Sequence, residues 1–267
     1  MTVSDRPKSG IDQIVFETTA DLRPPTLNER RHLAALPHEK ARHDELFEAM
    51  RALHEIEVAP APAPCPSASV VRIVFWNTER CKFVESSAAL LRPLEADVIL
   101  LAEMDYGMAR SGQRHTTRDL AAALKTGYAF GVEFVELALG DAREREWHAG
   151  EENGGGLHGG AVLSPHRLGR PALLRLEADG QWWSGARKGE RRIGGRIAMA
   201  ATVEIGDARV VVVGTHLESQ SDPENRAEQF EVLLDAIDAY APGAPVVLAG
   251  DFNTCTLRGG REEHEEE

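Results

Sequence analysis

Four short runs of Val, Ile, Leu and Ala in this chain each end on a polar residue that the run itself does not require. Val70–Phe75 (VVRIVF) leads into Trp76 and Asn77, Asp97–Ala102 (DVILLA) into Glu103, Val210–Thr215 (VVVVGT) into His216, and Pro245–Ala249 (PVVLA) into Gly250, Asp251, Phe252 and Asn253. Apolar runs of four to eight residues bounded by turn formers read as buried strands. Loops at strand ends are where a rigid sheet presents reactive groups. The chain is therefore constrained to bury several strands while delivering a polar residue from the end of each.

Between these runs lie helical patterns. Ser86–Leu94, Thr117–Leu124 and Glu224–Tyr240 read as helices, the last amphipathic through Phe230, Leu233, Leu234 and Ile237. Phe130–Leu139 and Gly160–Ser164 read as further strands, the second behind the glycine-rich loop NGGGLHGG, and Arg196–Ile205 with Arg209–Thr215 as a hairpin over Gly206-Asp207. Neither a strand-only nor a helix-only architecture fits; an α/β (α+β) domain does, with strands in a shared core and helices outside. Upstream, Asn28–Glu57 reads as two helices broken near Pro37, because proline cannot continue the helical ladder. The Pro/Ala stretch 59–69 (APAPAPCPSAS) reads as an extended linker. The expected organisation is an N-terminal helical extension (1–58), the linker (59–69), the α/β domain (70–257) and an acidic tail (258–267).

Composition narrows the partners. A net charge of −13 over 267 residues, spread as about −3, −7 and −3 over 1–69, 70–257 and 258–267, argues against coating nucleic acid by bulk charge. Cys65, Cys81 and Cys255 have no close spacing for a zinc site or disulfide framework, which fits a reducing compartment. No secretory h-region and no run of about 18 apolar residues is present, so a cytoplasmic protein without a membrane span is expected.

At one edge, the strand ends would gather Asn77, Glu103, His216, Asp251 and Asn253. Two carboxylates, two carboxamides and an imidazole form an oxygen-rich set suited to Mg²⁺ or Mn²⁺. Such an ion polarises a phosphoryl oxygen and activates an attacking water. Each member has a plainer reading, as a turn former, a rim charge or a hydrogen-bonded structural histidine; the combination, each at a strand end, favours a site.

The sequence resembles the endonuclease/exonuclease/phosphatase superfamily, the fold of DNase I-like nucleases, AP endonucleases and neutral sphingomyelinases. FWN (75–77), LLAEMD (100–105), GGAVLS (159–164), GTHLES (214–219) and AGDFNT (249–254) carry the resemblance over about residues 70–257. It implies a DNase I-like four-layer sandwich of two packed β-sheets flanked by helices. It further implies that Glu103 binds the divalent metal, with Asn77 close by as a metal ligand or phosphate partner. Asp251 would orient or deprotonate the water, Asn253 would donate to a phosphate oxygen, and His216 would stabilise charge on the phosphoryl oxygens. Arg196 would contact phosphate. His158, in the loop before GGAVLS, would contact substrate. The family also ends in an Asp-His pair. Here AGDFNTCTL is followed by RGGREEHEEE, and His264 is neither preceded by Ser-Asp nor followed by a strand, so the domain reads as C-terminally incomplete: either the chain is truncated or the pair is absent.

Two functions from different classes follow. The first is a Mg²⁺-dependent phosphoesterase (phosphodiesterase, endonuclease or phosphatase) that hydrolyses a phosphate ester by metal-assisted in-line attack of water. Its substrate is a nucleic acid, nucleotide, phospholipid head group or small phosphorylated metabolite. The second is a non-catalytic binding or scaffold protein on the same fold. Weaker signals are the clusters Arg110, Arg114, His115, Arg118 and Arg187, Lys188, Arg191, Arg192, and the pair Trp182-Trp183, expected to pack rather than stack on ligand.

Overall fold

Val98 and Leu100 point one way from their strand, Ile99 and Leu101 the other, and all four are buried. The two sets feed different cores, so this strand has apolar layers on both sides. A computed structural model describes residues 13–63, 70–177, 179–185, 190–205 and 208–254. In chain order its elements are β1 (Ile14–Val15), β2 (Thr18–Thr19), α1 (Leu27–Ala34), α2 (Lys40–Ala49), β3 (Ile56–Ala59), β4 (Ile73–Arg80), α3 (Val84–Leu91), β5 (Val98–Tyr106), α4 (Thr116–Leu124), β6 (Gly127–Glu136) and α5 (Ala142–Trp147). They continue with β7 (Leu157–Ser164), β8 (Arg167–Arg175), α6 (Gln181–Ser184), β9 (Arg192–Gly194), β10 (Ile197–Ile205), β11 (Ala208–His216), α7 (Pro223–Tyr240) and β12 (Val246–Asp251).

Two sheets form. One has the order β1-β8-β10-β11-β12; the other has β2-β3-β6-β7-β5-β4, with β9 added on β6. Period-two alternation then fills four layers. Ala172, Leu174, Ala198, Ala200, Val211 and Val213 face Leu233, Ala236, Ile237 and Tyr240 of α7. From the other side of the same strands, Leu173, Ile197, Met199 and Val212 meet Val98, Leu100, Ala129 and Val162 of the second sheet. The far side of that sheet carries Ile99, Leu101, Phe130 and Leu163 against α3, α4 and the N-terminal helices. The sheets approach closely where glycine makes room: a Cβ on Gly131 would lie 2.4 Å from Met199 Sδ, and one on Gly214 would lie 3.1 Å from Leu100 Cβ.

The expected helical break near Pro37 is present, between α1 and α2. The N-terminal region, expected as a separate helical extension, instead adds strands: β2 runs parallel to β3, and β3 pairs antiparallel with β6. Ile56 and Val58 alternate with Glu57, and the chemistry of Glu57 secures the join. Its buried carboxylate accepts from Leu22 N at 2.9 Å and from Arg118 Nη2 at 3.0 Å, and His115 Nε2 lies 3.0 Å away. Burial works against its charge, but His115 and Tyr128 pull the carboxyl down to about 2. Arg30, also buried, donates to Gly155 O at 2.7 Å and so ties α1 to the glycine-rich loop.

β8 (RLGRPALLR) is not among the strands expected above, and it carries Gly169 and Pro171 within it. The ladder with β10 shifts register between Ala200 and Thr202, and Arg170 turns to φ +46. Pro171 thus sits in a bulge, where no ladder donor is required. Trp182 and Trp183 are buried, as expected of packing residues, though on the short helix α6 rather than a hairpin. Cys65, Arg187, Lys188, the turn Gly206-Asp207, Cys255 and the tail with His264 lie outside the described residues.

Candidate active site

The polar ends of four strands meet, two from each sheet. β11 and β12 run parallel with His216 directly opposite Asp251. β4 and β5 run parallel with Asn77 opposite Ala102, after which the register shifts before Arg80 meets Met104. The same shift occurs on the other flank of β5, between Leu101 and Met104 against β7. Glu103 therefore sits in a bulge, in the left-handed region at φ +58, and its carboxylate leaves the plane of the sheet. Thr78 stabilises this departure by donating to Ala102 O at 2.9 Å and Glu103 O at 3.1 Å.

Asn77 joins the two sheets. Its Nδ2 donates to Glu103 Oε1 at 3.2 Å and to Asp251 Oδ2 at 2.9 Å. His216 lies over the same pair, with Nδ1 3.8 Å from Glu103 Oε1 and Nε2 4.0 Å from Asp251 Oδ2. Exposure is graded: the side chains of His216 and Glu103 are 8% and 14% exposed, and that of Asp251 34%. Asn253, at φ +49, stands one step away; its Nδ2 donates to Leu217 O at 2.8 Å and its backbone N–H to Asp251 Oδ1 at 3.0 Å. It braces the Asp251 loop against the end of β11.

Charge is strongly organised. Burial opposes ionisation of Glu103, yet Arg80, ion-paired with it, together with His158 and His216 holds the carboxyl down at about 2. Burial, reinforced by Arg196, lowers His216 below the usual imidazole range, so the ring is neutral at neutral pH. Among the described residues, no group of three or more His, Cys, Asp and Glu side chains is placed to hold a metal by itself. Two carboxylates tied to one carboxamide nitrogen are the sparser oxygen set that Mg²⁺ accepts while keeping waters or substrate oxygens in its other positions. The residues present fit such an ion.

Arg196 is not in the cleft. Its guanidinium is buried beneath His216, with Nη1 on Glu133 at 2.6 Å, Nε on Glu218 at 3.0 Å, and Nη1 3.3 Å from His216 Nδ1. The position expected to contact phosphate is instead occupied with supporting the imidazole. His158 is likewise buried: Nδ1 lies 2.8 Å from Asp105 Oδ1 and 3.3 Å from Arg110 Nη2, inside a network behind Glu103 that includes Glu136. A direct substrate contact by either residue is not available in this arrangement. Among the described residues, four members of the arginine clusters are engaged with carboxylates. Arg110 bonds Asp105, Arg114 pairs with Glu85 and Asp119, Arg118 pairs with Asp21 and Glu57, and Arg192 pairs with Glu136.

Sequence reading missed Arg80 and Glu218. Arg80 lies beyond the apparent end of the strand, in a run of three non-glycine residues (Glu79, Arg80, Cys81) at φ +46, +77 and +47 that no turn residue announces. Such conformations cost on the order of 1–3 kcal/mol each and concentrate at functional sites. Glu218 was detectable: it lies two residues past His216 in GTHLES, the spacing that puts side chains on one face.

Residues 74–263 match the model of the endonuclease/exonuclease/phosphatase family. Among solved structures, the chain is similar to an endonuclease/exonuclease/phosphatase from Beutenbergia cavernae DSM 12333, with 25% identity and a TM-score of 0.52. That likeness covers 71% of this chain and 49% of the other, so the chain spans about half the length of that protein. It is also similar to the human Nocturnin catalytic domain with bound sulfate anion, at 18% identity and a TM-score of 0.49, over 75% of this chain and 68% of that one. Curated protein sequences gave no match. Because the matched segment begins inside β4 and contains all four strand ends that build the site, the chain belongs to the endonuclease/exonuclease/phosphatase family.

Proposed function

We propose that this protein is a divalent-metal-dependent phosphoesterase acting in the cytoplasm. The observation that carries the reading is the single Asn77 Nδ2 bonded to Glu103 of one sheet and Asp251 of the other, with His216 over both. Glu103, with Asn77 beside it, would hold a Mg²⁺ or Mn²⁺ ion, which when bound would supply positive charge beside the phosphoryl group. Asp251, the more exposed carboxylate, orients a water for in-line attack and accepts its proton.

Arg196 determines how His216 takes part. A guanidinium has no acceptor atom, so an Nη1–H facing Nδ1 leaves Nδ1 as the acceptor and places the ring proton on Nε2. Nε2–H lies on the Asp251 side and donates to a phosphoryl oxygen as charge grows in the transition state. Arg196 and, through the buried network, His158 are thus positioning groups in this reading. Asn253 holds the Asp251 loop and presents its second amide hydrogen toward the substrate.

The fold also supports a scaffold role without turnover, which the same experiment decides. The protein is expected to release nitrophenol from bis(p-nitrophenyl) phosphate with Mg²⁺ or Mn²⁺, with EDTA, Asp251→Ala or His216→Ala abolishing the rate. Equal rates in parent and variants would remove the assignment, and no rate in the parent would favour the scaffold. No described helix is long and apolar enough to cross a membrane.

A further inference from the structure

Two aromatic side chains near this site serve no core. Phe83 is 74% exposed and Trp147 is 65% exposed. Both line one cleft of about 320 Å³ beside Lys82 and Arg114. A second cleft of about 240 Å³, lined by Glu103, Arg80 and Arg143, shares Lys82, Glu144 and Trp147 with the first. The two clefts therefore adjoin at Lys82, Glu144 and Trp147, one of them lined by the Glu103 carboxylate and the other by both rings. Arg143 lies over the Trp147 indole, 6.0 Å from its centroid, and its pairing with Asp141 is loose at 3.4 Å.

Tryptophan is enriched at interfaces, where one end of the ring is apolar and the other wet, and its face suits stacking on a flat partner. Here the partner must reach a phosphate site and lie against an indole, a phenyl ring and two cations. We propose that Phe83 and Trp147 form the base-binding subsite of a nucleoside monophosphate ester, its phosphate at Glu103 and its base between the rings. The proposal rests on the phosphoesterase reading and narrows it to a substrate of mononucleotide size.

Charge fixes that size. In the inner cleft, Arg80, Lys82 and Arg143 face four carboxylates, Glu103 among them. One divalent ion turns an excess of one negative charge into one positive charge, enough for a single phosphate. A polynucleotide backbone needs a cationic track, whereas Arg110, Arg114 and Arg118 are all held by carboxylates. The two exposed rings supply selectivity by stacking, and the inner cleft admits one phosphate group.

The test is equilibrium binding to the full chain with Mg²⁺, measured by isothermal titration calorimetry, with tryptophan emission recorded on the parent, using adenosine 5′-O-thiomonophosphate, ribose 5-phosphate and an eight-residue oligothymidylate. The thiophosphate nucleotide is expected to quench emission and to bind about tenfold more tightly than ribose 5-phosphate, the scale of one base stacked on an aromatic side chain. Trp147→Ala and Phe83→Ala are each expected to bring the two ligands to within about twofold while leaving ribose 5-phosphate binding unchanged. Equal affinity of the two small ligands for the parent, absence of binding by either, or undiminished discrimination in both variants would overturn the subsite. An oligothymidylate bound more than about tenfold tighter than the nucleotide would overturn the single-phosphate limit. Nitrophenol release from bis(p-nitrophenyl) phosphate is measured in parallel. Loss of that activity removes the phosphoesterase reading, whereas intact activity with equal ligand affinities removes the subsite alone.

Discussion

Replacing Asn77 with Asp probes the junction between the sheets most directly. Asn77 Nδ2 lies 2.9 Å from Asp251 Oδ2 and 3.2 Å from Glu103 Oε1, so the variant sets a third carboxylate against two others. At an effective dielectric near 20, each like-charge pair at this range costs about 5 kcal/mol. Protonation of one acid limits the total: holding a carboxyl of ordinary pKa neutral at pH 7 costs about 4 kcal/mol, at about 1.4 kcal/mol per pH unit. A protonated Asp still donates once, so one charge-assisted hydrogen bond is lost, at about 1.5 kcal/mol. The expected destabilisation is about 5 kcal/mol at pH 7 and about 3 kcal/mol at pH 5, or a fall in Tm of roughly 10–20 °C at neutral pH. The sign follows from linkage. The added acid binds its proton more tightly folded than unfolded, so the variant loses stability as pH rises. Thermal melts in EDTA at pH 5 and pH 7, repeated with Mg²⁺, provide the assay. Mg²⁺ should raise the Tm of Asn77→Asp more than that of the parent, because three carboxylates favour the ion more than two. A loss below about 1 kcal/mol, or one equal at both pH values, would refute the reasoning about the junction.

Three further outcomes follow from the buried charges. Arg196→Met leaves Glu133 and Glu218 buried without their cation and should cost about 3–5 kcal/mol in urea unfolding; adding Glu218→Gln should recover at least about 1 kcal/mol of it. Glu57 has a folded pKa depressed to about 2, so its stabilisation, about 3 kcal/mol, is present above the unfolded pKa and lost as pH falls from about 4.5 toward 2. Glu57→Gln should flatten the acid-unfolding curve across that window. Arg80→Met frees the Glu103 oxygen that the guanidinium holds and should tighten Mn²⁺ binding several-fold by calorimetry; unchanged or weaker affinity would mean that Arg80 orients the carboxylate rather than competing for it.

What could be read in advance was whatever depends on neighbours in sequence. Asn77, Glu103, His216 and Asp251 stood out because each interrupts an apolar run, and the runs are strands of two sheets that bring those ends together. Asn253 was placed near the site for the same reason. What escaped depends on partners far along the chain. Nothing around Arg196 indicates that Glu133, 63 positions away, takes up one side of its guanidinium, nor that His158 faces Asp105 across a strand pair. Arg80 escaped through backbone conformation, since three consecutive non-glycine residues at positive φ have no compositional signal. The strand at Ile56–Ala59 was submerged in a helical reading because four residues carry little periodicity of their own, and its identity comes from pairing with β6.

Half of the site rides on each sheet, and the layer of side chains between them is what holds the halves in registry. Gly131 and Gly214 leave hollows that Met199 and Leu100 occupy, so a methyl group at either glycine would act as a wedge remote from the cleft. It would leave Asn77 aligned with Glu103, and His216 with Asp251, yet shift one pair against the other. The alignment that chemistry needs is thus a property of interior volume. Drift in residues that never meet water or substrate is therefore a route by which the proposed activity would be lost while every polar side chain of the site stays in place.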